Sequence, residues 1–198
     1  MKFGLKRTLA LAALMSGAAG VAHATEGWYV RADVGQSIDA QLSILNLDNG
    51  FIGDVGAGYS WDNGFRLEGE LSYRKNQFNL DTEGNFNNNF SNNISGDVIA
   101  WGLLANIFYD FNRSGTIRPY LGAGVGGGDV RVGIDGSGHD SERGLAYQGL
   151  AGVGIALSDQ ATLDIGYRYF VVRDVFNDDY TNQGVTVGLR YMFAAPPP

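Results

Sequence analysis

The sequence has 198 residues, enough for one domain, and it contains 30 glycines but no cysteine. The lack of cysteine excludes a disulfide framework and a thiolate metal site. Acidic residues outnumber basic residues by 21 to 14, which argues against a protein that binds nucleic acid, since such proteins need a basic surface.

Residues 1–24 are typical of a secretory signal peptide. The basic head MKFGLKR precedes a short apolar stretch, and the final AHA offers small residues for cleavage. We expect cleavage after Ala24, which leaves 11 basic and 21 acidic residues in the mature chain. No apolar run beyond this segment reaches the roughly 18 residues that a membrane-spanning helix needs.

Apolar and polar residues alternate in eight later segments, and a period of two predicts β-strands with one apolar face. The predicted strands are 27–35, 50–61, 65–75, 98–111, 118–128, 145–157, 161–170 and 184–193. No segment after the signal peptide shows a helical period.

The connections between these strands alternate in length. Short ones lie at 62–64, 112–116 and 158–160, and long ones lie near 36–49, 76–97, 129–144 and 171–182. In an up-and-down sheet, successive connections fall at opposite ends, so the long loops share one end and the tight turns share the other. This layout predicts an all-β fold: an eight-stranded antiparallel up-and-down transmembrane β-barrel formed by residues 25–193.

The positions of the aromatic residues favour an apolar face that points to lipid. Large rings lie near both ends of the strands, with aliphatic residues between them, as expected for two membrane interfaces. The predicted interface girdle includes Trp28, Trp61, Trp101, Tyr109 and Tyr169. The alternative is a soluble, lipocalin-like barrel whose apolar face points inward.

The polar face carries glycines and charges of both signs near the strand centres. Glycines that face a narrow lumen make room for long side chains from opposite strands. Charges inside such a lumen must pair, because an unpaired buried charge is very unfavourable. The predicted lumen network comprises Arg31, Asp54, Arg66, Glu68, Glu70, Asp164, Arg168 and Arg190. Since side chains can fill the interior of eight strands, we expect a plug rather than an open channel.

Four stretches carry a resemblance to a known family. They are GLLANIFYDFN at 102–112, PYLGAGVG at 119–126, LSDQATLDIGYRYF at 157–170 and TVGLRYMF at 186–193. Together they resemble the small OmpA-like barrel family of bacterial outer membrane proteins. The last stretch is similar to the C-terminal signal that such barrels present to the barrel-assembly machinery. The resemblance implies that this signal includes Thr186, Gly188, Tyr191 and Phe193.

Residues 194–198, AAPPP, follow the last strand. They resemble the start of the Ala/Pro-rich linker with which some family members continue into a periplasmic domain. Proline content predicts an extended segment beyond the last paired residue. We expect a monomer in the bacterial outer membrane, in contact with outer membrane lipid and lipopolysaccharide.

Other chemistry receives little support. GAGVGG at 122–127 matches a dinucleotide-binding pattern, but no helix follows it to hold a phosphate. His139, the one histidine of the mature chain, lies in a long loop beside Asp140 and Ser141, and a solvated loop residue is the simpler interpretation. Acidic loop residues could gather divalent cations at lipopolysaccharide phosphates, but their spacing matches no calcium loop. We therefore predict no catalytic residue, no cofactor and no dedicated metal site.

The sequence thus predicts a structural or surface role in the bacterial envelope, with a lumen plugged by side chains. A narrow porin-like channel and a surface adhesin are the main alternatives. An enzyme that modifies lipid A is a more distant one.

Overall fold

The computed structural model describes residues 26–42, 45–47, 50–81, 93–134 and 138–193. The signal peptide, the tail at 194–198 and the centre of the asparagine-rich connection lie outside these residues. In the described ranges the chain forms nine β-strands. They are β1 (Gly27–Leu42), β2 (Leu45–Leu47), β3 (Phe51–Ser60), β4 (Phe65–Asp81), β5 (Asn93–Asp110), β6 (Ile117–Ile134), β7 (Gly138–Ala156), β8 (Ala161–Val175) and β9 (Asp178–Met192). None of the described segments is a helix that is long and apolar enough to cross a membrane.

The strands form one closed antiparallel sheet. Each strand from β3 to β9 pairs with the next along the chain, and β9 returns to pair with β1 over Tyr29–Leu42. The short β2 and the longer β3 both pair with β1, so together they fill one position in the ring. The result is an eight-stranded antiparallel barrel, which confirms the predicted fold class.

The two faces of the sheet are inverted relative to a soluble protein. Leu103 and Trp28 on the outer face are 69% and 66% exposed, whereas Arg66 and Glu70 on the inner face are each 1% exposed. Soluble monomers rarely expose a continuous apolar surface of this extent. The outer belt therefore faces lipid, and the lipocalin-like alternative is excluded.

The strands are longer at the loop end than the sequence predicted. Much of the predicted loops at 36–49, 76–97, 129–144 and 171–182 continues the barrel strands, so those boundaries are wrong. The cause is physical: beyond the lipid belt the outer face meets water, while buried apolar residues such as Val98 and Val130 face the lumen, so the alternation that marks a lipid-spanning strand is reversed. Main-chain pairing continues across this reversal, for example from Trp101↔Asp129 to Gly96↔Ile134.

The connection between β8 and β9 is a tight turn rather than a long loop. Only Phe176 and Asn177 separate the two strands. Asp174, Phe176 and Asn177 have φ angles between 53° and 61°, in the left-handed region that aspartate and asparagine tolerate better than most residues. The three predicted tight turns at the opposite end are confirmed.

Candidate functional site

The lumen contains two clusters of paired charges. The central cluster consists of Arg31, Asp33, Asp54, Glu68, Glu70, Arg74 and Arg168. The turn-side cluster, nearer the tight turns, consists of Arg66, Asp110, Asp164 and Arg190. All of these side chains are buried, because strand alternation points each of them inward.

Glu70 lies at the centre of the first cluster. Its Oε2 accepts hydrogen bonds from Arg31 Nη2 at 2.8 Å, Arg168 Nη1 at 2.9 Å and Asn106 Nδ2 at 2.9 Å. Its Oε1 accepts a hydrogen bond from Gln148 Nε2 at 3.0 Å. One carboxylate on β4 is thus connected to β1, β5, β7 and β8 across the lumen.

Arg31 and Glu68 form the second brace of the central cluster. Arg31 donates from Nε to Glu68 Oε2 at 3.0 Å and from Nη2 to Oε1 at 2.6 Å. Arg31 Nη1 also pairs with Asp33, on the same strand. The Tyr29 hydroxyl donates to Glu68 Oε2 at 3.0 Å. The bidentate, charge-assisted pairing of Arg31 with Glu68 is the strongest form of ion pair available to an arginine.

The turn-side cluster is built in the same way. Arg66 holds Asp110 through Nε–Oδ2 at 2.7 Å and Nη2–Oδ1 at 2.9 Å. Arg190 donates to Asp110 Oδ2 at 3.3 Å and to Asp164 Oδ1 at 3.1 Å. Arg66 also donates to the Tyr29 hydroxyl at 3.5 Å, so Tyr29 connects the two clusters.

Asp54 is the least satisfied group in the lumen. Arg168 Nε lies 3.4 Å from its Oδ2 and Arg74 Nη2 lies 4.0 Å from its Oδ1, but neither oxygen accepts a hydrogen bond from the described residues. Arg74 is stacked over the ring of Phe170 at 3.8 Å from its centroid. This cation–π contact lies where the charged lumen meets an apolar layer.

An apolar cluster fills the lumen on the loop side of the charges. It comprises Ala40, Phe78, Val98, Ala100, Leu104, Val130, Ala146, Phe170, Val172, Val175 and Tyr180. All are buried. This layer was not predicted from the sequence, because several of its members lie in strand extensions that were predicted to be loops.

All eight residues of the predicted network lie in the lumen and take part in the two clusters. Asp33 and Arg74, which the alternation also places on the polar face, take part as well, and the predicted network missed Asp110, which lies on the same face. The uncharged linkers Tyr29, Asn106 and Gln148 were also missed. Their signal was equally available, since each occupies an inward position on its strand.

The five predicted girdle residues are all exposed on the outer face. At the turn end, Trp28 packs edge-on against Tyr59 with centroids 5.5 Å apart, and Tyr59 packs against Trp61 at 5.3 Å. Near the loop end, Tyr73 packs against Trp101 at 4.8 Å. The rings therefore mark two levels on the barrel, with an aliphatic belt between them.

The predicted assembly signal lies on the strand that closes the ring. Thr186 and Gly188 face the lumen, and the Phe193 amide donates to the Trp28 carbonyl at 2.9 Å. Tyr191 donates from its hydroxyl to Gln160 at 3.2 Å. A Cβ on Gly188 would lie 1.8 Å from Asp33 Oδ1, so the closing seam requires glycine there.

The turn-side mouth of the lumen is narrow and lined by charged residues. Arg113, Arg118, Arg190, Asp110 and Asp159 surround a space of about 20 Å³. Partial burial lowers the pKa of the Arg113 guanidinium, which is in a turn outside the membrane. A space of this size admits about one water molecule.

The glycine-rich stretch and the histidine considered for other chemistry lie in strands, so the predicted loop position of His139 is wrong. GAGVGG at 122–127 is part of β6, and a Cβ on Gly124 would lie 1.9 Å from Asn106 Oδ1, so this glycine makes room for a lumen side chain. His139 lies in β7 opposite Gly133. Within the described part of the chain, no three His, Cys, Asp or Glu residues converge as a metal site would require.

A closed barrel with an apolar belt, two aromatic levels and a charged lumen defines a membrane-spanning barrel of the bacterial outer membrane. Residues 8–193 match the family model described as outer membrane protein beta-barrel domain, and the chain belongs to this family.

Similar proteins agree with this assignment. An uncharacterized protein of Brucella abortus is 27% identical over 199 aligned residues, covering 75% of this chain and 69% of the relative. The crystal structure of Neisserial surface protein A covers 84% of this chain and 97% of its own, with 24% identity and a TM-score of 0.67. The Yersinia pestis attachment invasion locus protein Ail, solved with the heparin analogue sucrose octasulfate, covers 84% and 99%, with 16% identity and a TM-score of 0.54. At these identities the two structures share the fold with this chain.

Proposed function

We propose that this protein is a closed, non-conducting barrel with a structural role in the outer membrane. The observation that carries the proposal is the double filling of the lumen. Paired charges occupy its centre and turn side, and the apolar cluster occupies its loop side. Eight strands enclose little more space than these side chains take up.

The proposal includes the biogenesis of the protein. We infer export through a signal peptide cleaved after Ala24 and recognition of the last strand by the barrel-assembly machinery. We also infer a monomer, since closure of β9 on β1 leaves no strand edge within the ring for a partner to extend. The protein acts as a non-enzyme in this proposal, because the lumen carboxylates serve as partners of arginines.

Wild-type protein in planar bilayers is expected to show no steady conductance. The charge-neutral double variant Glu70→Ala/Arg168→Ala should also stay closed, because the apolar cluster still seals the loop side. Adding Leu104→Ala and Phe170→Ala opens the apolar cluster, and adding Arg66→Ala and Asp110→Ala removes the main ion pair of the turn-side cluster. The protein with all six substitutions should produce open-channel steps.

Each protein in this series is first checked for the shift in gel mobility between boiled and unboiled samples in SDS. Steady wild-type conductance from a correctly shifted sample would reject the plug and favour the porin-like alternative.

A surface adhesin is the second candidate, favoured by the projection of the strands beyond the loop-side aromatic level. β5 continues for eight residues from Trp101 back to Asn93, about 26 Å at the usual rise per residue. Extended hairpins of this kind offer a surface for contact outside the cell.

Shortening the β4–β5 hairpin by deleting residues 80–94 is expected to abolish binding to host cells if this hairpin is adhesive. The barrel below should keep its heat-dependent gel shift, because its pairing does not involve the deleted residues. Deletion of 134–138, the tip of the β6–β7 hairpin at the same end of the barrel, is the control for shortening a different hairpin. Equal binding by wild type and the 80–94 deletion would count against adhesion through this hairpin.

A further inference from the structure

The outer face of the barrel carries one groove that the lumen does not explain. It lies at the loop-side aromatic level on strands β4 to β7 and encloses about 540 Å³. Its lining includes Leu71, Trp101, Leu103, Gly127, Arg131 and Arg143. The lower part is therefore apolar and the upper part cationic.

Gly127 forms the floor of this groove. It lies between Leu103 on β5 and Leu145 on β7, whose side chains are 69% and 59% exposed. A Cβ added to Gly127 would have no neighbour within 4 Å, so the glycine leaves open space on the lipid side. A notch between two leucines in the apolar belt has the shape and chemistry to receive an acyl chain.

Two arginines lie above this notch, held by one carboxylate. Arg131 Nε donates to Asp129 Oδ1 at 2.9 Å, and Arg143 Nε donates to Asp129 Oδ2 at 3.0 Å. The terminal amino groups of both guanidiniums carry no further hydrogen bond to the described residues. The two side chains are 52% and 84% exposed. Asp129 thus holds two exposed guanidiniums through one carboxylate, with a net charge of +1.

Asp129 is the register partner of Trp101, which places the arginine pair at the level of lipid headgroups. Guanidinium groups bind phosphate through paired, charge-assisted hydrogen bonds. We propose that this groove binds a phosphorylated, acylated lipid of the outer leaflet, with its phosphate on Arg131 and Arg143 and an acyl chain over Gly127. The inference rests on the proposed function in the outer membrane and takes the loop end of the barrel to face outward.

The test is native mass spectrometry of the folded protein in detergent, titrated with bisphosphorylated lipid A. Arg131→Gln/Arg143→Gln is expected to weaken binding about tenfold or more, to the level of dephosphorylated lipid A. Arg173→Gln is the matched charge control, because Arg173 is an exposed arginine paired with Asp179 at 3.0 Å outside the groove. This control should bind lipid A as the wild type does.

The role of the notch at Gly127 is tested with two glycine-to-leucine variants, one in the notch and one elsewhere on the outer face. Gly127→Leu places a side chain in the open space, where its Cβ would have no neighbour within 4 Å, and should weaken binding of lipid A. Gly149→Leu makes the same change at another outward glycine that has no neighbour within 4 Å, and it should leave binding unchanged.

Three results would overturn the inference. They are equal affinity of the arginine double variant and the wild type, equal affinity of the two leucine variants, and inorganic phosphate competing as strongly as the lipid. The last result would indicate a site for free phosphate. Failure of the closed-barrel proposal can be distinguished from failure of this inference, because it is detected as conductance or as loss of the gel shift before any lipid is added.

Discussion

Replacing Glu70 with alanine is expected to lower the free energy of unfolding by about 3–5 kcal/mol. The side chain accepts hydrogen bonds from Arg31, Arg168, Asn106 and Gln148 inside the lumen. Its removal leaves these buried donors without their common acceptor.

Urea unfolding of the protein in lipid vesicles, followed by tryptophan fluorescence, measures this loss. Asp97→Ala is the matched control, since Asp97 is also a strand carboxylate and lies 3.2 Å from Lys75 in a partly exposed ion pair. Its removal should change stability by less than about 1 kcal/mol. Similar losses for the two variants would show that the lumen network contributes no more than a surface pair.

Replacing Gly188 with valine is expected to prevent closure of the barrel. A Cβ at this position would lie 1.8 Å from Asp33 Oδ1 and 2.6 Å from the Ala32 carbonyl oxygen. The carbonyl belongs to the backbone of β1, which pairs with β9 at the closing seam. Neither strand can move aside without losing its ladder, so the steric conflict falls on the last pairing step.

The measurement is the boiled and unboiled gel shift of membrane-fraction protein. Gly188→Val should show no compact, heat-sensitive form. Gly69→Val is the control, because Gly69 points outward and its Cβ would have no neighbour within 4 Å. This variant should keep the shift and, given the preference of strands for β-branched residues, at least its original stability. A normal shift for Gly188→Val would refute the argument about the seam.

The lipid-spanning part of the fold could be predicted from sequence because two solvents act on alternate residues. Positions that face lipid carry apolar residues such as Leu103 and Trp101, and positions that face the lumen carry charged residues such as Glu70 and Arg31. Because successive residues of a strand face opposite sides, the sequence alternates with a period of two. Above the aromatic level this contrast is reversed, because the outer face meets water and the inner face carries apolar residues such as Val98 and Val130. Strands such as β6 and β7 continue there through main-chain pairing, with a side-chain pattern that no longer matches the lipid-spanning one.

The sequence was sufficient to predict which residues belong to the lumen network, but not which of their side chains are in contact. Alternation places Glu70 and Arg168 on the inner face, yet it does not show that their side chains meet across the barrel. That contact depends on the shear of the closed sheet, which side-chain patterns do not encode. The same limit applies to Asp129, Arg131 and Arg143, whose convergence requires the register of β6 against β7.

The distribution of the buried charges has a consequence for how the protein enters its membrane. Glu70, Arg168 and Arg190 come from different strands and find their partners only when the ring is nearly complete. A half-built sheet would present these ions to hydrocarbon together with an open row of backbone donors and acceptors, and both are strongly unfavourable. The unpaired ions and backbone groups therefore prevent the strands from inserting one at a time. Membrane entry and ring closure must occur as one cooperative event, and the apolar belt becomes exposed to lipid only after the ions have been enclosed.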